Sequence, residues 1–126
     1  MTELQHEVPL RRHPTEAARA RQQVAQFCAA MSDDACSTAQ LLTSELVTNA
    51  INHGTGAISL RLSTLDHQLR VEVADESPRA PTVQRASSEE LSGRGLMLLE
   101  TLATAWGITA EPDEQGKIVW FTLDRL

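Results

Sequence analysis

Apolar and polar positions recur along this chain with two different periods, and the switches between them divide it into elements. Residues 5–11 read as a short strand, with Pro9 confining it to a sheet edge or to the strand's end. From 14 to 30, Ala17, Val24, Phe27 and Cys28 give an apolar stripe behind a proline in the first turn, which predicts a helix. Ser32-Asp33-Asp34 breaks that pattern and offers a fresh N-cap. A second helix should run from about Asp34 to His53 and stop at Gly54, because glycine accepts the left-handed conformation that often ends a helix. Residues 57–63 and 68–74 alternate as half-buried strands do, and 65–67 between them is short enough for a hairpin. A third helix should follow Gly95 and end near Ala105, with 106–110 and 117–123 forming a last hairpin across 112–116. Strands joined by hairpins beside amphipathic helices predict an α/β fold, a two-layer sandwich.

The segment 76–92 fits neither period. It is polar, holds Pro78 and Pro81, and is long for a loop in a compact domain, where such length usually serves function. With 126 residues and 41% hydrophobic content, a single domain with one core is expected over 1–126. The net charge of −6 gives no electrostatic footprint for nucleic acid or a membrane surface. The start of the sequence has no apolar stretch of the secretory kind, and no run reaches the length of a membrane span, so the expected location is the cytoplasm. On that footing Cys28 and Cys36 are expected to be two reduced thiols, and neither has a ligand at zinc spacing.

The second helix carries the candidate chemistry. Glu45, Asn49 and His53 stand four residues apart, so they drift by about 40° per step and share one stripe, with Leu42, Leu46 and Ala50 beside it facing the core. A carboxylate so placed can take a proton from a hydroxyl, and a carboxamide oxygen can ligate a hard cation. Asparagine in mid-helix also costs propensity. His53 in the last turn has a plain structural reading too, as a partner of the helix dipole.

Three further segments follow in order: residues 69–75, a strand ending on Asp75; the polar stretch; and Gly93-Arg94-Gly95 opening an apolar helix at Leu96. With Glu45 and Asn49, this resembles the ATP-binding (Bergerat) fold shared by gyrase, the Hsp90 chaperone, histidine kinases and MutL. Within that superfamily it most resembles the single-domain anti-sigma-factor serine kinases, in the branch abundant in high-GC Gram-positive bacteria. The resemblance spans roughly residues 8–124. It implies a mixed, mostly antiparallel sheet covered on one face by helices, with 76–92 as a lid over ATP. It implies ATP and Mg2+ as cofactors, Glu45 as catalytic base, Asn49 as magnesium ligand and Asp75 as acceptor of the adenine amino group. His53, Ser77, Gly93, Arg94, Gly95 and Leu96 complete the implied nucleotide contacts.

The resemblance also implies function: a regulator that binds a sigma factor and phosphorylates a serine on an anti-anti-sigma (STAS-type) protein, as a homodimer joined through its first strand and helix. Arg11, Arg12, Arg19 and Arg21 concentrate positive charge in that region, where an acidic partner surface would dock. The sequence departs from the superfamily in places. Asp75-Glu76-Ser77-Pro78-Arg79 lacks both glycines of the usual Asp-x-Gly-x-Gly. Leu91 stands where a basic residue often precedes the serine-glycine pair, and Lys117 and Ile118 follow Gly116 where many relatives have a threonine. These departures favour an alternative, an ATP-binding module that regulates by docking alone. A histidine-kinase catalytic domain fits poorly, since no phosphoacceptor helix precedes the domain.

Overall fold

A computed structural model describes residues 4–77, 93–110 and 116–124. Alternation builds the sheet from β1 (Leu4–Leu10), β2 (Ile58–Leu65), β3 (Gln68–Asp75), β4 (Ala105–Ala110) and β5 (Lys117–Asp124). The strand order is β1-β2-β3-β5-β4, and every pairing among the described residues is antiparallel, so the parallel component of the expected mixed sheet is not found there. Leu60, Leu62, Leu69, Val71, Val73 and Phe121 lie on the buried face, each at most 2% exposed. Above them pack α1 (Glu16–Phe27), α2 (Asp33–His53) and α3 (Gly93–Leu102), which contribute Val24, Leu42, Leu46, Val47 and Leu99 to the same core.

The opposite sheet face carries a row of charge. Glu7, Arg61, Glu72 and Trp120 are successive register partners across four strands. Arg61 lies 3.3 Å from Glu7 and 3.9 Å from Glu72, while Arg70 reaches Glu72 at 2.8 Å and sits 4.3 Å above the Trp120 ring. Trp120 is thus a sheet-face residue and Phe121 a core residue, which fits their alternate positions on one strand.

Several expected boundaries shift, for local reasons. Ser32 caps α2 by accepting the Ala35 amide at 3.1 Å, so this helix begins at Asp33, one residue early. α1 is shorter than 14–30: residues 11–15 form a turn, and the Cys28 amide closes the helix on the Val24 carbonyl. α3 starts at Gly93 instead of after Gly95, and it ends at Leu102 because the Thr104 amide is already bonded to the Thr122 carbonyl at 2.8 Å.

The expectation of two free thiols is corrected. Cys28, the C-cap of α1, and Cys36, in the first turns of α2, form a disulfide with Cα atoms 5.5 Å apart. The tight turn between the helices brings the two positions together across only eight residues.

The corner between β1 and α1 rests on Glu16, a carboxylate with 1% of its side chain exposed. It accepts the Arg11 amide at 2.6 Å and Arg19 Nη1 at 3.2 Å. The Arg11 amide bond holds its pKa below the ordinary glutamate value against the opposing effect of burial, helped by the charges of Arg19 and Arg11. A depressed carboxylate pKa gives stability that is present above the unfolded value and is lost as pH falls through the folded one. Glu16→Gln should therefore lower unfolding free energy by about 1 kcal/mol at neutral pH, a figure discounted for solvent-exposed arginine partners. The difference from wild type should shrink as pH drops below about 4. Urea titrations at both pH values test this, and a gap that does not depend on pH would contradict it.

Candidate functional site

The stripe foreseen on α2 exists, and the fold treats its three members differently. Asn49 is 7% exposed, set among Leu46, Val47 and Ala50. Glu45, one turn earlier, keeps 18% of its side chain exposed. His53 is exposed in the last turn. α3 starts beside this surface, and Arg94 Nε lies 3.7 Å from Glu45 Oε1 with 69% of its side chain in solvent. The start of α3 thus brings the Arg94 side chain to Glu45, and a helix N-terminus is the kind of backbone end that favours an anion. Gly95 is buried, and Leu96 packs partly buried against the core, so Leu96 anchors the helix.

Asp75 ends β3 with 4% of its surface exposed. One carboxylate oxygen accepts the Ser77 amide at 2.7 Å, and the other lies 3.9 Å from Lys117 Nζ. Asp75 and Lys117 are register partners, and their side chains are 2% and 6% exposed. Together with Leu46, Asn49, Ala50, Val73 and Val119 they enclose about 10 Å3. That is room for roughly one water.

The end of α2 is shaped around this carboxylate. Gly54 is extended at φ −87°, ψ 179°, so the left-handed stop expected from its sequence position is not what it supplies. A Cβ there would collide with the Asp75 carboxylate and the Ala50 carbonyl, and glycine is needed for close approach. Arg12 takes over the C-terminal carbonyls of α2, donating from Nη1 to Ala50 at 2.5 Å and Ile51 at 2.9 Å, and from Nη2 to the Gly56 carbonyl at 2.8 Å. Ser77 Oγ accepts the Thr55 amide at 2.9 Å, and the Glu76 amide donates to the Thr55 carbonyl at 2.9 Å. Ser77 thus fastens the end of β3 to the α2–β2 loop. The lid expected over 76–92 lies, from residue 78 onward, outside the described residues.

Sequence reasoning named Arg12 only as part of a docking cluster and Lys117 only as a departure from the usual threonine, and it missed the helix-capping contacts of the first and the Asp75 contact of the second. Lys117 had one available signal, a lone charge opening an otherwise apolar strand. Arg12 had none, because its partners lie 38 to 44 residues away.

The model of the histidine kinase-like ATPase domain matches residues 10–123. The chain belongs to that family. Its fold matches the crystal structure of the RsbU and RsbW domains of Rv1364c from Mycobacterium tuberculosis, with TM-score 0.70 and 21% identity over 96% of this chain. The match spans 32% of that larger chain. No curated protein matches the sequence.

For a histidine kinase-like ATPase domain the implied ligand is ATP, usually with magnesium. Among the described residues no three His, Cys, Asp or Glu side chains gather as a metal site. At the phosphate end the residues fit in kind: a buried carboxamide, a half-buried carboxylate and a helix N-terminus. At the end of β3, the buried carboxylate of Asp75 has Lys117 against it. Gly54→Ala should disturb that end specifically, displacing the Asp75 carboxylate and lowering stability by about 1–3 kcal/mol. It should also weaken ATP binding in a calorimetric titration. Wild-type melting together with wild-type binding would show that Gly54 is not constrained by Asp75.

Proposed function

We propose that this domain is an ATP-dependent regulator of the anti-sigma-factor type, which holds a sigma factor and phosphorylates a serine on an anti-anti-sigma (STAS-type) protein. The observation that carries the reading is the pairing of Glu45 and Asn49, one turn apart on α2 and beside the first turn of α3. The likeness in fold to a chain containing an RsbW domain supports the same direction.

In this reading Asn49 offers its amide oxygen to magnesium, the amides at the start of α3 hold phosphate oxygens, and Asp75 accepts the amino group of adenine. Bound ATP with magnesium supplies the phosphoryl group and screens its charge. Glu45 takes the proton from the attacking serine hydroxyl of the substrate protein, and its partial exposure lets that serine reach it. Arg94 is close enough to restrain Glu45 and exposed enough to leave it for a terminal phosphate. The domain acts in the cytoplasm as a homodimer joined through β1, whose outer edge is unpaired among the described residues.

One observation favours a second reading, docking without catalysis: Lys117 sits against the base acceptor in a nearly filled space. Two variants separate the readings. Asn49→Ala should weaken magnesium-dependent ATP binding by about 1.5–3 kcal/mol, the loss of a charge-assisted contact. Glu45→Gln should keep ATP affinity and lose most phosphoryl transfer, since it preserves shape and removes the proton acceptor. Both are read by calorimetry and by labelled-phosphate transfer to candidate antagonist proteins. Wild-type transfer by the Gln variant would remove Glu45 as base. Tight ATP binding without transfer to any candidate would favour docking.

A further inference from the structure

The Lys117 amine lies where a base contacting Asp75 would have to enter. The two residues face each other across β3 and β5, both point to the helix side, and they close a space of about 10 Å3 beneath α2. A purine ring cannot share that volume with the lysine side chain, since it has room for roughly one water. The backbone has little freedom to open it. A Cβ on Gly116 would collide with the Asp75 carbonyl, so the start of β5 is pressed against the end of β3. What can move is the side chain, a flexible four-carbon stem at the first residue of its strand.

We propose that Lys117 is an internal competitor for the base of a purine nucleoside triphosphate and sets the affinity of this site. Its ammonium occupies Asp75 until an exocyclic amine replaces it, because a buried carboxylate left with the Ser77 amide alone would lose its charge partner. Entry of the base turns the stem of Lys117 outward and exchanges one donor for another. The cost of breaking the resident pair is subtracted from the affinity of every incoming nucleotide. This inference rests on the ATP-binding reading above.

The sequence contains one lysine, so its amine can be followed in the unaltered protein. Saturating ATP with magnesium should accelerate acetylation of Lys117 by an amine-reactive reagent, measured by peptide mass mapping against the α-amino group. Unchanged or slower labelling, with ATP binding verified by calorimetry, would overturn the competitor model and leave ATP binding intact. In parallel, Lys117→Thr should bind ATP about tenfold or more tightly than wild type, the size of one charge-assisted contact. Lys117→Met, which keeps the stem and loses the charge, should fall between them. Without nucleotide both variants should melt below wild type, yet ATP should raise the melting temperature of Lys117→Thr more than that of wild type. Equal or weaker binding by the Thr variant would refute the proposal and make Lys117 a bystander or a direct contact. If neither the wild type nor the folded Thr variant binds ATP, the ATP-binding reading falls and the competitor falls with it.

Discussion

Asp75 is an almost fully buried carboxylate at the point where α2 ends, β3 ends and β5 begins, and each of those segments is built to suit it. Leaving such a charge unpartnered would cost several kcal/mol. The Ser77 amide and the Lys117 amine answer that requirement from two sides, and Gly54 makes room by having no side chain. The backbone consequences spread outward. Ser77 and Glu76 bind Thr55, Glu76 Oε1 accepts the Ala57 amide, and Arg12 ties the last turn of α2 to Gly56. A helix carrying Glu45 and Asn49 is thereby fixed relative to the strand that ends on Asp75. Under the proposed function that positioning matters, since little of the catalysis of phosphoryl transfer is covalent.

The elements were legible because burial imposes a period on the sequence. β3 alternates Leu69, Val71 and Val73 with Arg70 and Glu72, and α2 repeats Leu42, Leu46 and Ala50, so both faces could be assigned before any partner was known. The same logic found Glu45 and Asn49, which lie on one helix and need no tertiary information. What periodicity cannot provide is which faces meet. The pairing of Asp75 with Lys117 depends on the register of two strands separated by more than forty residues of chain. The disulfide was misjudged because compartment was used to decide it, whereas the geometry of the α1–α2 turn brings Cys28 and Cys36 together. Gly54 shows a subtler miss: the position was right, but the reason is contact with Asp75, not a left-handed cap.

The two ends of the cleft differ in how far they follow the superfamily pattern. Where the proposed function puts the phosphates, Glu45, Asn49 and the start of α3 keep the types of residue that such chemistry needs. Beside Asp75, Ser77 stands where the first of the two missing glycines would be, and the second position, Arg79, lies outside the described residues. The Ser77 hydroxyl and amide hold the chain through bonds to Thr55 and Asp75 that glycine could supply only in part. The Lys117 substitution is different in kind, because it places a charge in the space beside Asp75 that the proposed function gives to the base. Altered affinity is therefore a more direct consequence of these departures than lost chemistry.

The arginines near the first helix bear on partner choice in a way that sequence clustering alone would misrepresent. Arg12 caps α2, Arg19 donates to the Pro9 carbonyl at 3.0 Å and to Glu16, and Arg21 donates to Ser44 at 2.9 Å. Arg11 lies 3.7 Å from Glu16 while 80% of its side chain is exposed. Three of the four therefore hold β1, α1 and α2 together, and their charge is partly committed within the chain. An acidic partner would meet Arg11 and the exposed part of Arg19, a smaller positive surface than the count suggests. Charge reversal at Arg19 or Arg21 would consequently perturb the β1–α1 corner or the α1–α2 contact along with any docking. Neutralisation at Arg11, as in Arg11→Gln, is the cleaner probe of association, because it places no like charge beside Glu16 and leaves the Arg11 amide to donate to it.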